Sequence, residues 1–252
     1  MSRAHHVRAP LAAAAALCLA GCWQAPKPTV QESERGLVWM FPGVGGGPWS
    51  LQGAYRAFRD AGVDGDIRIH EWDLPGYDIL GRLQRIAENR AQAARVAGEM
   101  AAYRREHPAG RIDLVGYSAG GGIALLVAAA LPDDVRLRNL ILVQPAVSPT
   151  YDLTAALRHV DGRLVSFNCP SDWLTLGLGT ELFGTVDRQL TAAAGKDGFE
   201  LETAVPDSAL RAKVFQRRWS PEMLWSGHIG NHVNILLYAW NRKYVAPYLL
   251  AE

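Results

Sequence analysis

From Leu37 to the C-terminus, short apolar runs rich in β-branched and aromatic residues alternate with longer stretches of helical character. The runs Leu37–Phe41, Ile67–Trp72, Ile112–Tyr117, Leu140–Val143, Leu164–Asn168 and Val214–Trp219 read as strands. Helices are predicted near Leu51–Ala61, Ile79–Arg105, Gly120–Leu131, Leu153–His159 and Glu181–Ala194. A last one is expected over Val233–Tyr248, with Pro247 near its end. This alternation predicts an α/β domain over 37–252 with a mostly parallel central sheet and helices on both faces. The interval from Ala146 to Arg163 is too short for a large cap domain between its flanking strands, so a fairly open site is expected.

The N-terminus follows a different pattern. Arg3 and Arg8 form a short basic start, and Leu11–Ala20 is an unbroken apolar run, about half the length a membrane-spanning helix needs. It reads as the core of a signal peptide over 1–21. The run ends in Leu19-Ala20-Gly21-Cys22, which resembles the lipobox of bacterial lipoproteins. The alternative is an ordinary signal peptide with a chance cysteine. The resemblance implies cleavage before Cys22, acylation of its thiol, and a domain held outside the cytoplasm at a membrane of the bacterial cell envelope. Residues 22–36 then read as the lipidated cysteine and a tether. The stretch Trp23–Gly36 is rich in Pro, Gln, Lys and Glu without apolar period, and extended it could span up to ~40 Å.

Composition narrows the picture further. The chain is 49% apolar and 20% charged, as a packed globular protein is. A net charge of +1 with scattered basic residues gives no reason to expect nucleic acid as a partner. Of three cysteines, Cys18 leaves with the signal and Cys22 carries lipid. Cys169 remains alone as a small packing residue, so no intramolecular disulfide is expected.

The sharpest chemical feature is Ile112-Asp113-Leu114-Val115-Gly116-Tyr117-Ser118-Ala119-Gly120-Gly121, where a strand pattern runs through Gly-x-Ser-x-Gly into an Ala/Leu-rich helix. A strand-to-helix reversal lifts a serine off the sheet in a strained turn, and the flanking glycines are needed because side chains there would collide with backbone. The following helix would aim its N-terminal amides and positive dipole end at charge developing nearby. In these features the chain resembles the α/β-hydrolase superfamily, in particular its esterase- and lipase-like serine hydrolases, over nearly everything from Leu37 onward. Phe41-Pro42-Gly43-Val44-Gly45-Gly46 stands where that family often carries His-Gly and builds half of its oxyanion hole. The resemblance implies the backbone N–H groups of Val44 and Ala119 as donors. A nucleotide-binding reading of the glycines is disfavoured: Pro48 falls where the third glycine of Gly-x-Gly-x-x-Gly belongs, and no Gly-Lys-Ser/Thr follows. Trp72-Asp73-Leu74-Pro75-Gly76-Tyr77 also resembles a turn common in the family and bears on fold rather than chemistry.

A serine hydroxyl needs an adjacent base, itself oriented by a carboxylate. The resemblance implies the chain order serine, acid, histidine. Asp172, in the exit loop of the strand Leu164–Asn168, is the favoured acid, with helix N-capping as its other reading and Asp187 and Asp197 as weaker candidates. His228 and His232 are the histidines late enough to be the base. His232 is favoured because it stands at the entrance to the last helix, leaving His228 as a hydrogen-bonding neighbour. His70, His107 and His159 come too early, and no cluster has metal-ligand spacing. No cofactor is expected. The expected activity is hydrolysis of a small-molecule carboxylic ester or lipid-like substrate through an acyl-enzyme. Amide, thioester or peptide hydrolysis with the same residues, and a catalytically inactive lipid-anchored binding protein, are the alternatives. A serine at this turn argues against haloalkane dehalogenase or epoxide hydrolase chemistry.

Overall fold

The computed structural model describes residues 23–72, 85–172, 185–187 and 191–250. Six strands, β1 (Gly36–Phe41), β2 (Asp66–Ile69), β3 (Arg111–Tyr117), β4 (Leu137–Val143), β5 (Val160–Asn168) and β6 (Val214–Arg218), form one sheet in the order β2-β1-β3-β4-β5-β6. Every pairing is parallel. Parallel neighbours need crossovers. Helix α1 (Val30–Arg35) precedes the sheet, and α2 (Gln52–Ala61), α3 (Ile86–Glu106), α4 (Ala119–Ala129) and the short α5 (Thr154–Leu157) supply the first four crossovers. Each expected strand falls on one of the six, though β4 and β5 begin earlier and β2 ends before Trp72.

Both faces of the sheet are covered, which is why its strands read as continuous apolar runs rather than alternating ones. Trp39, Leu114, Leu142 and Leu164 pack on one face with Val96 and Met100 of α3 and Ile123 of α4. Met40, Val115, Ile141 and Val165 pack on the other with Phe58 of α2 and with Trp240, Val245 and Leu249. The chain leaves β1 toward β2 on one side and β3 toward β4 on the other. The carboxyl ends of the adjacent β1 and β3 therefore flank the crevice where open α/β sheets place their ligands.

Three stretches differ from expectation. Residues 23–35 lie on the domain instead of forming a free tether. Thr29 and Glu32 close a capping box that starts α1, Glu32 pairs with Arg59 at 3.1 Å, and the Tyr103 hydroxyl donates to the Ser33 carbonyl at 2.6 Å. The last helix is not continuous from Val233. A 3-10 turn at Val233–Leu236 ends at Leu237, which is extended at ψ 137, and helix resumes at Tyr238–Trp240, passing through a π turn at Asn241–Val245 to Pro247–Leu250. The Asn241 side-chain amide donates to the carbonyls of Ile235 and Leu237, fixing the break. Half of the helix expected over Glu181–Ala194 lies outside the described residues; of the rest, 185–187 and 191–193 are not helical, and helix Ala194–Asp197 begins only at its end. The signal peptide with Cys22, residues 73–77 of the Trp72–Tyr77 turn, and the beginning of the Ile79–Arg105 helix are also outside.

At the far end of the sheet, Arg138 reaches Asp113 with Nε at 3.1 Å and Nη2 at 2.5 Å, while the Asn139 amide donates to the same carboxylate at 3.0 Å. Arg138 and Asn139 also donate to the carbonyls of Leu249 and Tyr248, so this buried cluster ties the C-terminus to β3 and β4. Asp113→Ala would leave a largely buried guanidinium without its carboxylate, and we expect a loss of about 3 kcal/mol in urea unfolding. Asp113→Asn, which keeps an acceptor, should lose less. Equal losses would mean that packing rather than charge pairing holds the C-terminus.

Candidate active site

β3 ends at Tyr117 and α4 begins at Ala119, which leaves one residue to reverse the chain. Ser118 does so at φ 54, ψ −124, a conformation costing roughly 1–3 kcal/mol for a residue with a side chain. Its surroundings hold it there: its N–H donates to the Val143 carbonyl at 2.9 Å, and its carbonyl accepts from Gly121 at 2.9 Å and Ala146 at 3.1 Å. A Cβ on Gly116 would stand 2.5 Å from the Gly120 carbonyl oxygen, and one on Gly120 would enter the carbonyls of Phe41 and Pro42. The absence of those two side chains lets the turn pack against the end of β1.

The structure brings together Ser118, His232 and Asp172. His232 Nε2 lies 2.8 Å from Ser118 Oγ, and its Nδ1 lies 2.6 Å from Asp172 Oδ2. A carboxylate can only accept, so the proton sits on Nδ1 and the Nε2 lone pair faces the serine hydroxyl. Asp172 is 3% exposed, on the turn after β5, where its N–H donates to the Cys169 carbonyl at 3.0 Å.

Two features place His232. Tyr117, next to the serine, donates its hydroxyl to Asn241 Oδ1 at 2.6 Å, and Asn241 in turn holds the carbonyls of Ile235 and Leu237 at 2.8 and 2.9 Å. The turn carrying His232 is thereby tied to the strand carrying Ser118. Gly230, at φ +86, lies close against Ser171, so the histidine loop approaches the Asp172 loop where a side chain would intervene. Asn241 falls inside the helix expected over Val233–Tyr248, directly before Arg242 and Lys243, and nothing in that setting marks it.

The other candidates sit elsewhere. His228 is 2% exposed, packed edge-on against Trp240, and its Nδ1 accepts from the Gly230 N–H at 3.3 Å. Burial pushes its pKa down to about 4, and the proximity of His232 adds to this against the pull of Asp172. It braces the loop from beneath. Asp187 accepts from Ser148 and Thr185, and Asp197 pairs with Lys196. Cys169 is buried, and burial raises its thiol pKa. His70 is held down to about 4 by burial, His107 lies against the Tyr103 ring, and His159 meets the Val135 carbonyl.

Gly43 faces Ser118: a Cβ there would stand 3.2 Å from the Ser118 Cβ. Val44 lines the same cleft, and the Ala119 N–H, at the start of α4, has no intrahelical acceptor. The loop is fixed from behind by Trp72, whose indole N–H donates to the Pro42 carbonyl at 2.7 Å. Trp72 itself is held by Gln92, which donates to its carbonyl at 3.0 Å. Trp72 read as part of a family turn, and nothing in the sequence linked it to Pro42. The cleft has a volume of about 330 Å³ and is walled by Val44, Trp49, Tyr117, Ile235 and Leu236. Among the described residues, no group of three or more His, Cys, Asp or Glu is arranged to hold a metal ion.

Comparison with protein-family models matches residues 39–251 to the alpha/beta hydrolase family. Among solved structures, the chain is similar to a poly(3-hydroxybutyrate) depolymerase from Bordetella parapertussis at 17% identity and a TM-score of 0.51, covering 89% of this chain and 81% of that one. It is also similar to a carboxyl esterase from Tuber melanosporum at 12% identity and a TM-score of 0.51, covering 87% and 77%. These likenesses concern the fold. Comparison with curated proteins gives no match.

The buried histidines set an acid limit on stability. Unfolded, His228 and His70 take up protons near their ordinary value of about 6.5, whereas folded they stay neutral down to about 4. The unfolded chain therefore binds more protons in that window, and stability falls as pH drops from 6.5 toward 4, by up to about 3 kcal/mol per histidine. His228→Asn keeps an acceptor for Gly230 and should flatten this loss in urea titrations run at successive pH values. A curve parallel to the wild type would show that His228 is not held neutral.

Proposed function

The chain belongs to the alpha/beta hydrolase family, and we propose that it hydrolyses carboxylic esters with Ser118 as nucleophile, His232 as base and Asp172 as the group orienting the imidazole. The observation that carries this reading is the continuous relay from Asp172 through His232 to Ser118, at 2.6 and 2.8 Å. Ser118 Oγ attacks the ester carbonyl while its proton passes to His232 Nε2. The oxyanion forms against the N–H groups of Val44 and Ala119, each worth roughly 3 kcal/mol of barrier in such sites. His232 then protonates the departing alkoxide, leaving an acyl group on Ser118. Water enters and bonds to the acyl carbonyl as its proton passes to His232; the Ser118 Oγ–acyl bond then breaks, Oγ takes the proton back from His232, and the acid leaves. Asp172 stays ionised throughout and steadies the imidazolium.

The cleft is of a size that suits a small-molecule ester or lipid-like substrate with a short or medium acyl chain. We further infer that Cys22 carries a lipid holding the domain at a bacterial membrane, outside the cytoplasm. The support is Leu19-Ala20-Gly21-Cys22 directly after a ten-residue apolar core. No helix among the described residues is long and apolar enough to cross a membrane.

Ser118→Ala should abolish both fluorophosphonate labelling and hydrolysis of a butyrate ester, with the circular dichroism spectrum unchanged. Labelling of that variant at another serine would overturn the assignment, and a wild type that is never labelled would favour a binding protein. His232→Ala should cost about 10³-fold or more in turnover, and His228→Ala far less. Thioester and amide analogues of the same acyl group test the substrate class; faster turnover of either would displace the ester.

Cys22→Ser should release the protein from the membrane fraction or leave it unprocessed. Mass spectrometry finding a mature N-terminus other than an acylated Cys22 would refute the anchor.

A further inference from the structure

Nine large apolar side chains are exposed among the described residues, and six of them lie on the segments that frame the cleft: Trp49, Leu224, Trp225, Ile229, Val233 and Leu237. Exposed apolar residues scattered singly are ordinary, whereas a contiguous group marks a contact surface. The segments that carry these six adjoin one another. Trp49 and Val233 both line the cleft that holds Ser118. The Ile229 N–H donates to Asn234 Oδ1 at 3.3 Å, which sets Ile229 beside Val233. The Leu237 side chain lies against Gly227, directly after the turn Pro221–Ser226 that carries Leu224 and Trp225. Gly53, one turn beyond Trp49, is pressed against the Leu236 carbonyl, which joins the Trp49 side of the mouth to the Val233–Leu237 side. None of the six is charged, and Trp225 is 91% exposed.

The chain arrives at the same place. The Trp23 ring packs edge-on against Tyr55 with centroids 5.4 Å apart. Gln52, its amide oxygen turned toward Trp23, accepts from the indole N–H at 3.0 Å. Residues 24–28 run beside Pro48, the neighbour of Trp49. Cys22 is bonded to Trp23, so whatever it carries leaves the domain at the N-terminal end of α2, about one helical turn from Trp49. A lipid there leaves little slack between the domain and the bilayer.

We propose that the rim formed by Trp49, Leu224, Trp225, Ile229, Val233 and Leu237 seats on the lipid bilayer and turns the cleft mouth toward it, so that Ser118 takes its ester directly from the membrane. The proposal rests on the readings of Cys22 as lipidated and Ser118 as nucleophile. Tryptophan and aliphatic side chains suit the interfacial zone, where an indole sits at headgroup depth, and Glu222, exposed on the turn that carries Leu224 and Trp225, is paired with Arg217 at 3.9 Å. The lipid and the rim act as two signals: one fixes the protein to the membrane, the other fixes its orientation.

The test uses the acylated full chain in vesicles of phosphatidylethanolamine and phosphatidylglycerol doped with phospholipid brominated in its acyl chains. Indole fluorescence should be quenched, and Trp225→Phe should remove a large part of that quenching. The double variant Trp225→Ser/Ile229→Ser, neither residue of which lines the cleft, should hydrolyse a water-soluble butyrate ester as the wild type does. Its turnover of a medium-chain ester of a lipid alcohol dissolved in the vesicles should fall by ~10-fold or more. An acylated protein whose Trp225 is not quenched, or a double variant as fast as wild type on the vesicle-borne ester, overturns the proposal. So does an unquenched wild type that dimerises in solution while the double variant does not, since a second copy then covers the rim. Quenching needs no chemistry, so failure of the wild type on both esters counts against the Ser118 reading alone. A Cys22 found without acyl mass counts against the anchor.

Discussion

Nothing larger than hydrogen fits between the first turn of α4 and the carbonyls that end β1. The rest of the site depends on that close approach. It brings the Pro42–Val44 loop alongside Ser118, and it leaves a single residue to turn the chain from β3 into α4. Ser118 accepts a strained backbone there because three backbone hydrogen bonds, to β4 and to the segments on either side, leave it no alternative. The glycines matter for the room they leave. A methyl group at Gly120 would push α4 away from the end of β1 and with it the Pro42–Val44 loop from the serine, and one at Gly116 would run into the backbone of Gly120 and Gly121.

The histidine is placed from the opposite direction. The last thirty or so residues form no core of their own; they are held to the sheet at two points. Near the site, Tyr117 and Asn241 connect the serine strand to the histidine turn. At the other end, Arg138 and Asn139 hold the carbonyls of Leu249 and Tyr248. Between these points Trp240 and Val245 bury themselves against Met40, Ile141 and Phe167. His228, neutral and enclosed between Trp219 and Trp240, fills the space under the loop. A reactive imidazole needs a defined position to within a fraction of an ångström, and this segment obtains it by being fastened at both ends.

Much of this was legible in the sequence, for physical reasons. Strands buried on both faces leave uninterrupted runs of Val, Ile, Leu and aromatic residues, so all six could be read. The turn at Ser118 is marked because only glycine tolerates the contacts at Gly116 and Gly120. Asp172 and the two late histidines followed from chain order, and the choice between His228 and His232 from distance to the last helix. What could not be read depends on contacts distant in sequence. The break at Leu237 depends on Asn241, which bonds the Leu237 carbonyl and is itself held by Tyr117 from 124 positions away. Trp72 touches Pro42 across thirty residues. The docking of residues 23–35 was missed for the opposite reason: Thr29 and Glu32 form a local capping pattern, but the polar composition around them obscured it.

The brace near the C-terminus also sets when the proposed relay can form. Synthesis runs from N- to C-terminus, and the sheet from β1 to β6, with the Ser118 turn and Asp172, precedes His232 in the chain. Even then the turn that carries the imidazole is not tied to the serine strand until Asn241 follows it, and the segment beyond Asn241 is tied to β4 only through Tyr248 and Leu249. As the proposed nucleophile, Ser118 is thus dormant while the polypeptide is being made, and a chain cut short by a dozen residues would carry the whole sheet and a serine no more reactive than any other.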